Sequence, residues 1–196
     1  MATFYINGAE VTVAKKQKLL RYLRDDLHIH SAKDGCSEGA CGTCTIHVDG
    51  AAVKACVLTT ALAAGRNIVT VEGLPEDVRE AFVYAFGAVG AVQCGFCIPG
   101  MVMAGAALIA EDPEPTEEQI KYAIRGNVCR CTGYKKIIEG ISLAAAGSAA
   151  KSRSTRTWSA AMTTAWASAP SVLTCARRCS ARASIPTTST SSISRA

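Results

Sequence analysis

Eight cysteines fall into two blocks, and any fold of this chain has to gather each block into one place. The first block reads Cys36-x4-Cys41-x2-Cys44-x11-Cys56 and the second Cys94-x2-Cys97-x31-Cys129-x-Cys131. Four thiolates per block are enough for one [2Fe-2S] cluster each. Two one-electron centres in 196 residues imply electron transfer, in an electron-carrying subunit rather than a complete enzyme. Disulfides are the first alternative. They belong to exported chains, and residues 1–15 lack a basic start followed by a long apolar stretch. Zinc is the second, since Cys-x2-Cys is its usual half-site. The first block favours iron: Cys-x4-Cys-x2-Cys with a distant fourth cysteine is the plant-type [2Fe-2S] spacing. The residues of the second block leave zinc open.

The net charge of +5 is misleading. Residues 1–150 carry 14 Lys and Arg against 16 Asp and Glu, and residues 151–196 carry seven basic residues and no acidic one. The basic character belongs to the tail, so a nucleic-acid partner is not expected. No run of 18 apolar residues occurs, so no membrane span is expected and a cytoplasmic location is. The Ala-, Gly- and Met-rich stretch from Ala85 to Ile109, broken by Gln93, Cys94 and Cys97, suits close helix packing.

Residues 1–75 read as a small α+β unit. Phe4, Ile6, Val11 and Val13 alternate about Asn7-Gly8, which predicts a hairpin. Leu19, Leu20, Leu23 and Leu27 predict a short helix over 17–27. After the loop from Gly35 to Cys44, strands are expected at Thr45–Val48, Val53–Val57 and Ile68–Val71, with a turn at Asp49-Gly50. Gly35, Gly39 and Gly42 alternate with three cysteines, letting backbone N–H groups approach the sulfurs. His28, His30 and His47 are expected to face solvent or an interface.

Residues 76–150 read as four short helices. Glu76 and Asp77 suit a first turn, and the first helix runs through Val78, Phe82 and Phe86. Pro99 and Gly100 open the second, to about Ile109. Thr116 and Gln119 form a capping box for a third over Glu117–Ile124. Ile137, Ile138, Ile141 and Leu143 mark a fourth over 135–146. Two cysteine pairs at different helix ends can present four sulfurs to one cluster in such a bundle. No Ser-His-Asp arrangement, phosphate-binding loop or nucleotide-binding glycine pattern stands out.

The string GCSEGACGTC at Gly35–Cys44, with QCGFCIPG at Gln93–Gly100 and GNVCRCTGY at Gly126–Tyr134, resembles the iron–sulfur subunits of the molybdenum hydroxylase family, which includes xanthine dehydrogenase and aldehyde oxidoreductase. The resemblance covers residues 2 to about 147. It implies a plant-type ferredoxin-like β-grasp domain (1–75), then a four-helix [2Fe-2S]-binding bundle (76–150). Carried over by motif, Cys36, Cys41, Cys44 and Cys56 would ligate a flavin-side cluster. Cys94, Cys97, Cys129 and Cys131 would ligate a molybdenum-side cluster. Gln93 would hydrogen-bond the pterin, and Cys131 would lie beside it as an exit point for electrons. Arg130 is equally suited to a partner's carboxylate or phosphate and to solvent. The implied partners are a molybdopterin-bearing large subunit and an FAD-binding subunit. The expected activity is electron transfer in a xanthine dehydrogenase-like hydroxylase. Aldehyde, nicotinate, aromatic acyl-CoA and carbon monoxide dehydrogenases are alternatives, as are a stand-alone two-cluster ferredoxin and a zinc-stabilised interaction module.

Residues 151–196 fit none of this. Of these 46 residues 19 are Ser or Thr, and no core pattern appears, so disorder is one expectation. A frameshift in a GC-rich gene is the other. Synonymous codons exist for Leu173 to Ser189 that, read two bases later, encode DVREKVLGTGEYPDDL, a string resembling the start of the family's molybdenum-binding subunit. That subunit would then be fused to this one or adjacent in the gene, and Cys175 and Cys179 would be accidental.

Overall fold

The computed structural model describes residues 1–153. The chain opens with strands β1 (Ala2–Ile6) and β2 (Ala9–Val13), joined at Asn7 and Gly8, whose φ values of 51° and 85° match the strand twist of a tight hairpin. Asp49 and Gly50 repeat the device, with φ of 51° and 89°, between β3 (Thr45–Val48) and β4 (Ala51–Lys54). With β5 (Asn67–Val69) they form one sheet in the order β2-β1-β5-β3-β4, parallel only between β1 and β5. Phe4, Ile6, Ile46, Val48 and Ile68 point from this sheet onto Leu19, Leu20 and Leu23.

Two expectations need correction here. The helix over 17–27 is shorter and irregular. Lys18 is extended and bridged to Thr59, so the α-helical part α1 is only Leu19–Arg21, and Tyr22–Asp26 widens into a π-helical turn. The strand expected at Val53–Val57 ends at Lys54, and Ala55–Val57 is a 3-10 turn. Continued strand would carry the chain away at about 3.3 Å per residue. The Ala55 amide instead bonds the Cys44 carbonyl at 3.1 Å, which keeps Cys56 beside Cys44.

The second half is the four-helix bundle that the periodicity predicts: α2 (Glu76–Val89), α3 (Ile98–Glu111), α4 (Glu117–Ile124) and α5 (Lys135–Arg153). Gly90, at φ 67°, ends α2 in a left-handed cap, with the Ala91 amide returning to the Phe86 carbonyl. Thr116 and Gln119 make both bonds of the predicted capping box. Helix α5 runs past the expected residue 146, and the expectations for residues 154–196 lie outside the described residues. Phe82, Phe86, Met101, Met103, Ile120, Ile137 and Ile141 fill the bundle core, each contributing about 1.5–3 kcal/mol of burial. Among the described residues no helix is long and apolar enough to cross a membrane.

The two halves share an interface because α3 packs on the outer face of β3. Period-2 alternation sends Ile46 and Val48 into the sheet core and Thr45 and His47 to the other face; the helix covers that face, so all four residues of β3 are buried. His47 is 8% exposed, and its Nε2 lies 2.7 Å from the Met103 carbonyl oxygen; of its two expected settings, solvent and an interface, it takes the second, between the halves of this chain. His28 and His30 do face solvent.

Close packing at this interface depends on Gly100, where a methyl group would overlap the Gly42 carbonyl oxygen and stand 3.1 Å from Thr43 Cα. Gly100→Ala should destabilise the chain by about 2 kcal/mol, because backbone atoms must move. Gly87→Ala, at a helical site with open space around it, should stabilise by about 0.5–1 kcal/mol. Thermal or denaturant unfolding of the two variants tests the contrast; equal effects would contradict this packing.

Candidate metal centres

The first cysteine loop curls through three residues at positive φ, Ser37 (56°), Gly39 (79°) and Gly42 (71°). That curl aims the amides of Glu38 and Cys41 at Cys36 Sγ, 3.5 and 3.4 Å away. Thr43 Oγ1 lies 3.3 Å from Cys41 Sγ. Cys44 immediately precedes β3 and Cys56 lies in the 3-10 turn after β4, and both are buried. The Cys36 sulfur neighbours that of Cys41 and the Cys44 sulfur that of Cys56, with Cys41 also close enough to act on Cys44.

The second group joins two turns. Cys94 and Cys97 precede α3, with Gly95 at φ 76° between them, and Cys97 is the N-cap residue of that helix. Cys129 and Cys131 lie in the loop after α4. Tyr134 holds this loop: its hydroxyl accepts from the Cys129 amide at 2.9 Å and donates to the Asn127 carbonyl at 3.3 Å. Cys131 Sγ is 3.5 Å from Cys94 Sγ, Cys97 neighbours Cys129, and Thr132 Oγ1 is 3.1 Å from Cys129 Sγ.

The electrostatics divide the sulfurs by position. Backbone amides of Cys41 and Glu38 bring the Cys36 thiol down to about 7. Burial, then the neighbouring Cys56, pushes Cys44 up to about 12; burial, then Cys129, does the same to Cys97, also to about 12. The Phe96 amide lowers Cys94, and the Cys94 thiol raises Cys131. The sulfur arrangement tests the site against a metal group. Each quartet is two adjacent pairs, matching a two-iron cluster in which every iron takes two thiolates. The donor sets fit [2Fe-2S].

The quartets differ in access. Cys94 and Cys131 are exposed, and so are Gln93 and Arg130; Val92, Phe96 and Val128 are exposed with them. Sequence reading missed the seam between the loops. The Val128 amide donates to the Cys41 carbonyl at 2.8 Å, and Asn127 Nδ2 donates to the Gly42 carbonyl at 2.9 Å. Lys33 Nζ donates to the Gly95 carbonyl at 3.0 Å. Asn127 and Val128 sat inside a motif already singled out, but a single sequence does not say which backbone groups they meet.

In the metal-free chain, iodoacetamide at about pH 8 should label Cys36 well before Cys44 and Cys97. Thiolate forms above the pKa, so a thiol near 7 is mostly ionised there while thiols near 12 are not. Peptide mass spectrometry reads the order, and equal labelling would count against the amide cradle.

Known proteins place these observations in a family. Residues 4–67 match the family described as the 2Fe-2S iron-sulfur cluster binding domain, and residues 70–142 the [2Fe-2S] binding domain. The chain is 42% identical over 135 residues to the nicotinate dehydrogenase small FeS subunit of Eubacterium barkeri, covering 67% of this chain and 86% of that one. It is 42% identical over 138 residues to the nicotine 6-hydroxylase small subunit of Paenarthrobacter nicotinovorans, covering 69% and 84%. Among solved structures, quinoline 2-oxidoreductase from Pseudomonas putida 86 superposes with a TM-score of 0.69 at 34% identity, over 76% of this chain and 95% of that chain. The chain therefore belongs to the molybdenum hydroxylase family, as a [2Fe-2S]-binding, electron-transfer small subunit.

Proposed function

We propose that this chain links a molybdopterin-bearing large subunit to an FAD-bearing or other acceptor, in a hydroxylase of nitrogen heterocycles. The observation that carries the proposal is the paired arrangement of both sulfur quartets on one continuous scaffold. When bound, the two clusters supply one-electron transfer between those partners. Cys36 and Cys41 would hold one iron of the first cluster, and Cys44 and Cys56 the other. Cys94 with Cys131, and Cys97 with Cys129, would divide the second cluster in the same way. Amides of Glu38 and Cys41 stabilise negative charge on the Cys36 sulfur.

The exposed group Val92, Gln93, Phe96, Val128 and Cys131 suits the molybdenum partner. Its apolar members would exclude water on docking, and the exposed Gln93 would hydrogen-bond a pterin. The relatives named for nicotinate, nicotine and quinoline support a heterocyclic substrate. Xanthine is one such compound, but these relatives give it no preference, and the partner's pocket sets the choice. A cytoplasmic setting, where thiols stay reduced for metal binding, accompanies this reading.

Low-temperature EPR of the dithionite-reduced full chain should show two distinct S = 1/2 signals, together about two spins per chain. Cys44→Ser should remove one signal and Cys97→Ser the other. A single signal in fully loaded protein would break the two-cluster reading, and metal-replete protein without a signal would point to zinc. Copurification of a molybdenum-containing partner tests the remainder, and a stable, fully active monomer would sink it.

A further inference from the structure

Two half-buried lysines reach into the seam between the cysteine loops. Lys33 comes from the first half of the chain, yet its ammonium donates to the Gly95 carbonyl at 3.0 Å, between Cys94 and Cys97, and lies 5.1 Å from the Phe96 ring centroid. Its backbone is fixed by Thr43, whose hydroxyl donates to the Lys33 carbonyl and also touches Cys41 Sγ. Lys54, at the end of β4, donates to the Gly39 carbonyl between Cys36 and Cys41. Its Nζ also stands 3.4 Å from where a methyl on Gly126 would lie, against the second cysteine loop. Both lysines have neutral carbonyls as acceptors, and among the described residues no carboxylate lies within ion-pair distance of either ammonium.

We propose that Lys33 and Lys54 are positioning residues that act as counter-cations between the two cluster sites and raise the reduction potentials of both. The inference rests on the two-cluster reading above. Two ferric irons, two sulfides and four thiolates leave a net charge of about −2 on each centre, and an added electron makes it about −3. A cation close to such a centre stabilises the reduced form more than the oxidised form. Partial burial weakens the screening that would erase this effect at an open surface. Placed between the centres, the same cations also reduce the repulsion that a second electron meets. Lys33 lies nearest the second quartet and should act most on it; Lys54 lies on the first loop and should act most there.

The test is a redox titration of the full chain followed by EPR, comparing the starting protein with Lys33→Gln, Lys54→Gln and the corresponding arginine variants. Glutamine keeps an N–H donor and removes the charge, whereas arginine keeps the charge. Each glutamine variant should lower the midpoint of its nearer centre by about tenfold in the reduced-to-oxidised ratio at fixed potential, or about 59 mV for one electron. Arginine should restore most of that shift. Two intact signals with unmoved midpoints would reduce the lysines to mechanical ties and overturn the proposal. Loss of one signal from the unsubstituted protein would overturn the two-cluster reading instead. Should Lys33→Gln fail to load its clusters, Lys54→Gln decides from the opposite loop.

Discussion

The bond from the Val128 amide to the Cys41 carbonyl, 2.8 Å long, ties one cysteine loop to the other, and the architecture is arranged round it. Such a bond needs backbone against backbone, so the residues beside it are small. A side chain at Gly42 would strike the Gly126 carbonyl, and one at Gly100 the Gly42 carbonyl. Asn127 fills the remaining gap, its amide donating to Gly42 and to Thr45 Oγ1 at 3.2 Å. It is 5% exposed. Removing it would cost two hydrogen bonds across the seam, about 0.5–1.5 kcal/mol each, while Thr45 would still bond the Gly42 carbonyl.

That contact explains why two halves with separate cores behave as one scaffold. Helix α3 has the bundle on one side and the outer face of β3 on the other, so nine of its 14 residues are buried. Its composition answers to two neighbours at once. Gly105 lets Phe82 and Ile141 approach on the bundle side, and Met103 gives its carbonyl to His47 on the sheet side. A helix with a single apolar stripe could serve only one of these surfaces.

What the sequence made legible was local chemistry. Asn7-Gly8 and Asp49-Gly50 fixed their hairpins through positive φ, and Thr116 with Gln119 announced the start of α4. Features set by the other half of the chain stayed hidden. His47, on an alternating strand, could face solvent or an interface, and only the packing of α3 decides between them. The 3-10 turn at Ala55–Val57 reads as strand because its residues favour strand, but the bond from Ala55 to Cys44 overrides them. Nothing in the sequence singles out Lys33, since its acceptor is a backbone carbonyl 62 positions away.

Each quartet combines a sheltered pair with a more open one, and this asymmetry has an energetic root. Cys44, Cys56 and Cys97 are buried, whereas Cys94 and Cys131 are exposed. A buried thiolate without compensation is costly, which is why burial holds Cys44 and Cys97 near 12. Among the described residues no buried side-chain nitrogen or oxygen lacks a hydrogen-bond partner. Sheltered sulfurs that ionise need a further partner for their charge. As neutral thiols they are tolerated among Ile46, Ala55 and Met101; as thiolates they require metal beside them. Metal binding then releases protons and contributes folding free energy together, most strongly at the sulfurs that solvent does not reach.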